Sequence, residues 1–370
     1  MKKILGIIAF LIAAAALTVG IAFYARGYRP DLDGRSIQGT GLVSIKSNPD
    51  GAKVFINDEE KGTTNVDLPA LKPGKYLIKI TKDGFSTWEK EVEVKQEAVN
   101  QIEAVLFPVA PTLRALTFTG VKNPLTSPVG DKIVFSILEP EDKAGIWVLN
   151  LSSSPLPSFF TRDLASLVSD DDENKFSAAS YEFSPDGSQL LVNVGNNGSY
   201  FLLDTSGDNE NPKEVTLDVD KLKEDWENQL DVSEKKSLEK LGLEALNLAS
   251  TLTNIDFSPK KDKFTGRKEN GVPVLFDSDP GLAPNQEPTF YNLPKAKGYL
   301  WYPDGKHLIL VNDASISIMD SDTRNNVTIY TGNFNPDFVA PWTDGSKIVI
   351  TTSLNTSLRK IPDLYAIELR

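Results

Sequence analysis

The hydrophobic pattern of the chain changes period along its length, and each change marks a different kind of element. Ile4–Ala25 is a run of 22 residues without a single charge. At about 1.5 Å rise per residue it spans about 33 Å, enough to cross the hydrocarbon core of a bilayer once as a helix. From residue 41 to about 107, apolar and polar positions alternate in runs at 42–47, 52–56, 76–80, 92–94 and 102–106, which predicts half-buried antiparallel strands. The intervening segments carry turn chemistry. Asn48-Pro49-Asp50-Gly51, Lys72-Pro73-Gly74 and Lys82-Asp83-Gly84 place Pro where φ is near -65° and Gly where φ must turn positive. From 111 to the end, short apolar runs return at wider intervals, interrupted once at 218–254 by a helical period.

The expected organisation is therefore an anchor at 1–25, a linker at 26–40, a small β-sandwich at 41–110 and a larger β body at 111–370. The competing reading of the apolar start is a cleaved signal peptide, since both begin with a short basic stretch. Retention is the favoured reading. Cleavage after residues 13–16 would leave 17–25 as an exposed apolar terminus, and a site at Ala25 has Phe23 where a small residue is wanted. Lys2 and Lys3 face Arg26, Arg29 and Arg35 across the span, so the flanking charge is nearly balanced and orientation rests on the long C-terminal body, expected on the outer side. In the linker, Gly, Pro and polar residues without apolar period predict a tether. Asp31, Asp33 and Gly34 have the start of a calcium loop but not its distal Glu, which favours a turn.

In residues 41–107 the run Val43-x-Ile45-x-Ser47-x-Pro49-Asp50-Gly51-Ala52-x-Val54-Phe55-Ile56-Asn57 is followed by Gly62-Thr63-Thr64, by Leu71-x-Pro73-Gly74-x-Tyr76-x-Ile78 and by Gly84-Phe85. This segment resembles the PEGA domain, a small β-sandwich of prokaryotic cell-surface proteins. It departs at Asp50, where the family motif has Glu, and at Asn65, where Pro is usual. The turn needs its Pro and Gly more than the particular acid, so the fold is not threatened. The resemblance implies a cell-envelope location and a recognition or spacer role, and brings no catalytic motif.

Beyond residue 111 one motif recurs: Ser127-Pro128-Val129-Gly130, Phe183-Ser184-Pro185-Asp186-Gly187, Phe257-Ser258-Pro259-Lys260-Lys261, Trp301-Tyr302-Pro303-Asp304-Gly305 and Trp342-Thr343-Asp344-Gly345. An apolar strand follows each, and a second strand then ends near Asn150, Asp204, Asp277, Asp320 or Glu368. One such hairpin cannot bury both of its faces, so repeats must stack. The pattern resembles WD40-like and TolB-type β-propeller repeats, which implies about five four-stranded blades. The unmatched strand at 112–118 is expected to supply the missing outer strand of the last blade. Phe183, Phe257 and Trp301 read as core between blades rather than as ligand-stacking rings. The motif prolines or their equivalents lie 57, 74, 44 and 40 residues apart, so the second interval carries about 30 extra residues. There Leu222, Trp226 and Leu230, then Leu238, Leu241, Ala245, Leu248 and Leu252, keep helical spacing around a candidate capping box at Asp231 and Glu234. A helical hairpin is expected, as a packed decoration or a partner-docking element.

Composition narrows the chemistry. The chain has no Cys, one His (His307) and a net charge of -12. Disulfides, thiolate nucleophiles, zinc-thiolate and iron–sulfur sites and a lipidated cysteine anchor are excluded. Residues 111–370 alone carry net -13, which disfavours nucleic acid as a partner. No Gly-x-Ser-x-Gly elbow, P-loop or Gly-x-Gly-x-x-Gly occurs. Ser-x-x-Lys appears at Ser233/Lys236, Ser258/Lys261 and Ser357/Lys360 without its companion motifs. Asp170, Asp171, Asp172 and Glu173 lack ordered ligand spacing and read as a solvated loop, and His307, in an expected strand after a turn, reads as a structural or solvent-facing histidine. No catalytic, cofactor-binding or metal-ligating residue and no cofactor is assigned. The expectation is an all-β, non-enzymatic binding or scaffold protein of the prokaryotic envelope, single-pass in the cell membrane with its C-terminal domains outside. Its expected partners are polysaccharide or a surface protein. The alternative is a carboxylate-dependent glycan hydrolase or lyase in the propeller channel.

Overall fold

The computed structural model describes residues 2–25, 27–31, 36–152, 164–195, 198–278, 288–354 and 361–370. The chain is mostly β and divides into two compact units that meet in sequence at Phe107 and Pro108.

The first unit opens with helix α1 (Lys2–Ala25), exposed along residues 4–25 and long and apolar enough to cross a membrane. The segment read as a tether contains strands instead: Tyr28–Asp31 pairs antiparallel with Ser36–Gly39. Its short polar strands have no hydrophobic period, so nothing in the pattern signals them. Asp33 and Gly34 lie outside the described residues.

A sandwich follows. One sheet has the order Val66–Leu71, Gly41–Asn48, Val99–Val105; the other runs Glu59–Thr63, Lys53–Ile56, Gly74–Thr81, Trp88–Val94. The alternating residues Val43, Ile45, Val54, Ile56, Ile78 and Ile80 meet Trp88, Val92 and Ile102 in a single core. Strand direction corrects one expectation: Gly41–Asn48 and Val99–Val105 are parallel, with Leu42 opposite Val99. The four-stranded sheet lies between them in sequence, so the chain re-enters the first sheet in its starting direction.

Among its described residues the second unit holds five four-stranded antiparallel sheets. Sheet 1 is Lys122–Thr126, Lys132–Ile137, Gly145–Asn150 and Leu164–Ser169; sheet 2 is Ser180–Phe183, Gln189–Val194, Ser199–Asp204 and Lys213–Glu214. Sheet 3 is Leu252–Phe257, Lys263–Lys268, Pro273–Asp277 and Thr289–Asn292; sheet 4 is Gly298–Trp301, His307–Val311, Ser315–Asp320 and Val327–Thr331. Sheet 5 takes Val339–Pro341, Lys347–Thr352 and Asp363–Glu368 from the end of the chain and Leu113–Ala115 from the start of the unit, Leu113 opposite Ile367.

The apolar faces join neighbouring sheets. Val134 and Ile146 of sheet 1 pack with Leu190 and Val192 of sheet 2. Ile133 and Phe135 of sheet 1 pack with Ala340 and Val349 of sheet 5. Leu275 of sheet 3 packs with Trp301, Leu308 and Leu310 of sheet 4, and the hydroxyl of Tyr302, just after the first strand of sheet 4, bonds to the carbonyl of Gly345, in the turn after Val339–Pro341 of sheet 5.

Sheets 2 and 3 are covered differently. Helix α2 (Val219–Leu241) sets Trp226 and Leu222 against Leu191, Tyr200 and Leu202 of sheet 2. The later part of α2 and helix α3 (Leu243–Ala249) set Leu238, Leu241, Ala245 and Ala249 against Phe264 and Phe276 of sheet 3. A helical layer therefore covers an apolar face of sheet 2 and one of sheet 3. Its platform on sheet 3 is a row of cross-strand partners, Phe257, Phe264, Phe276 and Phe290, with successive ring centroids 5.8, 5.0 and 5.5 Å apart. Such contacts contribute about 0.5–1.5 kcal/mol each beyond burial. The helical break also differs from expectation. Asp231 and Glu234 lie inside one continuous helix, and the turn comes at Gly242 (φ 95°); Leu252 belongs to a strand.

Candidate functional site

The repeated motif builds the same turn five times. At its first position Ser127, Ser184, Ser258, Tyr302 and Trp342 donate their backbone N–H to the carbonyls of Lys132, Gln189, Lys263, His307 and Lys347. At its fourth position Gly130, Gly187, Lys261, Gly305 and Gly345 have φ between 55° and 72° and donate back to the first residue. After the third strand, Leu151, Thr205, Ser278, Ser321 and Leu369 donate to the fifth position, at Asp131, Ser188, Asp262, Lys306 and Ser346.

Neighbouring turns touch. A Cβ on Gly187 would meet Ser127 and Val129, and one on Gly305 would meet Pro259. Thr343 donates its Oγ1 to Leu151 O at 2.8 Å. The turns thus form a continuous surface on which Val129, Asp186, Lys260, Lys261, Lys306 and Asp344 are exposed. It is fixed by backbone bonds and mixed in charge. Asp186 accepts from the Ser184 hydroxyl at 2.7 Å and from both the N–H and the hydroxyl of Ser188, which holds its carboxyl at about 2.

Beneath the turns lies a polar layer. The first residue of the second strand pairs with the last of the third in each sheet: Lys132 with Asn150, Gln189 with Asp204, Lys263 with Asp277, His307 with Asp320 and Lys347 with Glu368. Two of these pairs are buried ion pairs. Lys263 Nζ sits 2.5 Å from Asp277 Oδ1. His307 donates from Nδ1 to Asp304 at 2.7 Å and from Nε2 to Asp320 at 3.2 Å. Burial pushes the imidazole pKa down, but the two carboxylates overcome it and raise the group to about 9. His307 is therefore a buried cation held between two carboxylates.

The other singled-out residues come apart. Ser233 accepts from Lys261 Nζ at 3.2 Å, and the Ser258 hydroxyl donates to Asp262 at 2.7 Å, so neither serine is paired with the lysine of its own motif. Ser357 and Lys360 lie outside the described residues. Asp170 caps Ser177, and Asp171 accepts the backbone N–H groups of Glu173 and Asn174. Among the described residues no group of three or more His, Asp or Glu could hold a metal. Phe183 packs with the sheet 1–sheet 2 core, Phe257 under the helical layer and Trp301 between sheets 3 and 4.

One acid escaped sequence reasoning. Asp256, on the first strand of sheet 3, is exposed to water yet crowded by protein on most sides, and this desolvation raises its carboxyl to about 6. Two residues before the turn, its counterpart in sheet 2 is Glu182, which pairs with Lys223 of α2 at 2.7 Å. The register of the repeat, counted back from each turn, is the signal that would have found both.

The N-terminal sandwich has its own match. Residues 40–109 are a PEGA domain. The PEGA domain brings the Pro49-Asp50-Gly51 turn, with Gly51 at φ 67°, and a core that takes in Val43, Ile45, Ala52, Val54, Ile56 and Ile78 of its motif. Among curated proteins, none matches the chain. Among solved structures, the chain is similar to a putative TolB from Agrobacterium tumefaciens (14% identity, 74% of this chain and 76% of that one, TM-score 0.24). It is also similar to the Cps50 (Swd1) β-propeller domain of Myceliophteria thermophila (12%, 70% and 73%, 0.21) and to an oligogalacturonate lyase from Vibrio parahaemolyticus (9%, 80% and 86%, 0.27).

Proposed function

We propose that the protein is a membrane-anchored, extracytoplasmic binding scaffold of the prokaryotic envelope, whose second unit is a five-bladed β-propeller. In this reading Leu113–Ala115 closes the ring by completing sheet 5, and the helical layer fills the interval between sheets 2 and 3. The observation that carries it is the set of five identically bonded turns, linked by contacts that run from sheet 3 through sheets 4, 5 and 1 to sheet 2. Such a surface loses little conformational entropy on binding, which favours recognition of an extended partner. Envelope polysaccharide or a surface protein fits a PEGA-bearing chain with an acidic body. The test uses the full chain in detergent as bait for envelope extract, beside a variant with Lys260, Lys261 and Lys306 changed to Glu. Specific capture that the variant loses supports the turn face; capture unchanged by the variant overturns it. Helix α1 is read as a retained anchor, and a mature protein beginning beyond Tyr24 overturns that.

Asp256 supports a second reading, a carboxylate-dependent glycan hydrolase or lyase, because an acid raised to about 6 is suited to proton transfer near neutrality. Turnover of envelope glycans that Asp256→Asn abolishes without loss of folding would establish it; an absence of turnover in the wild type would remove it.

A further inference from the structure

The end of α1 is fastened to the PEGA domain by side chains, and this determines what the domain faces. Gly27 donates its N–H to Tyr24 O at 3.1 Å, and its carbonyl accepts both the N–H and the hydroxyl of Thr40. The Arg29 guanidinium lies 3.8 Å over the Tyr24 ring and donates to Tyr24 O at 2.7 Å. Tyr28 packs edge-on against Phe23 at 5.0 Å. Its hydroxyl donates to Glu97 Oε1 at 2.6 Å and accepts from Gln96 Nε2 at 2.9 Å. Glu97 N–H donates to Thr40 O at 3.0 Å. The connection from helix to sandwich is thus a bracket with hydrogen bonds at both ends, and the turn at residues 95–99 is fixed beside the helix end.

That end has the chemistry of a bilayer interface. Phe23, Tyr24 and Tyr28 form the aromatic group that settles at headgroup depth, and Arg29 and the exposed Lys95 are cations beside it. Val99, 56% exposed, adds an unburied apolar side chain to the same turn. We infer that the PEGA domain rests its 95–99 turn on the phospholipid headgroups of the membrane that α1 spans, held in one pose by Tyr28 instead of swinging on a tether. The partner is the headgroup layer itself, with phosphate as the group that Arg29 and Lys95 meet. This rests on the anchor reading above.

The absence of cysteine in the chain makes the test direct. Val99→Cys and, at the opposite end of the adjoining strand Gly41–Asn48, Asp50→Cys are each labelled with an environment-sensitive fluorophore. The full chain is then reconstituted into phosphatidylcholine vesicles containing a headgroup-nitroxide lipid. Quenching at 99 is expected to exceed that at 50 several-fold, and Tyr28→Phe, which removes both hydroxyl bonds, is expected to shrink the difference. Equal quenching at both sites in protein that floats with the vesicles overturns the bracket and leaves the anchor standing. Failure to float overturns both. A difference that survives Tyr28→Phe unchanged overturns the role of Tyr28.

Discussion

His307, at the start of the second strand of sheet 4, stands opposite Asp320 at the end of the third, and its two ring nitrogens are shared between Asp320 and Asp304. The trio makes stability depend on pH in a stated direction. The imidazole is raised from 6.5 to about 9 in the fold, so the folded state holds its proton more tightly than the unfolded chain. The resulting stabilisation, about 3 kcal/mol at 1.36 kcal/mol per pKa unit, is complete below about 6.5 and lost as pH rises through about 9. Thermal melts from pH 6 to 10 are expected to fall accordingly. His307→Lys puts at this place the cation that sheet 3 uses at Lys263, and its melting temperature should fall less between pH 8 and 10. Equal falls in both proteins would sink the account.

Lys263 and Asp277 occupy the same register in sheet 3, 6% and 3% exposed. Lys263→Met removes the cation 2.5 Å from a buried carboxylate and is expected to cost about 3–5 kcal/mol, whereas Lys263→Met with Asp277→Leu should recover most of that loss. Denaturant midpoints of the two variants decide it. A double variant as unstable as the single would show that the pair is not what the site depends on.

These pairs show what the sequence made legible. The repeat of Pro, Asp and Gly marked the turns and hence the hairpins, because Pro and Gly act through backbone φ and leave a local signature. The partners one strand away did not show: Lys263 opposite Asp277 is a matter of register, and only the common count from the turn reveals it. The hairpin at Tyr28–Asp31 was invisible because its residues carry no hydrophobic period, and the bonds that tie Tyr28 to Gln96 and Glu97 join positions far apart in sequence. The parallel pairing of Gly41–Asn48 with Val99–Val105 was hidden because alternation reports burial and says nothing of strand direction. The helical period of 218–254 was plain, but the two sheets it covers could be learned only from where Trp226 and Leu238 pack.

Lys261 is the one non-glycine at the fourth turn position, with φ 55°. A left-handed conformation costs a side-chain-bearing residue about 1–2 kcal/mol, partly offset by the unfolded-state freedom that Gly adds. Lys261→Gly is expected to stabilise by up to about 1 kcal/mol. The converse discriminates within the motif. Gly130→Ala meets nothing within 4 Å and should suffer the backbone strain alone, while a Cβ at Gly345 runs into the Tyr302 hydroxyl. Gly345→Ala should therefore be the more damaging, and equal melting temperatures for the two would contradict the packing of turn on turn.

The helical layer carries the last expectation. Trp226 is 8% exposed and packs on Leu191, Tyr200 and Leu202, while Leu238 packs on Phe264 and Phe276. If helices stand in for a sheet between sheets 2 and 3, loosening either contact frees a large face and not merely a surface helix. Trp226→Ala is expected to cost about 3–5 kcal/mol, as for a buried aromatic in a core. Amide exchange should then speed up in the second and third strands of sheet 2, at residues 189–194 and 199–204. Leu238→Ala should do the same in sheet 3 at a cost of about 2–5 kcal/mol. A decoration merely resting on the surface predicts the opposite result: faster exchange confined to 219–249, with the strands unchanged. The exchange map thus separates an integral layer from an appendage without depending on the size of either stability loss.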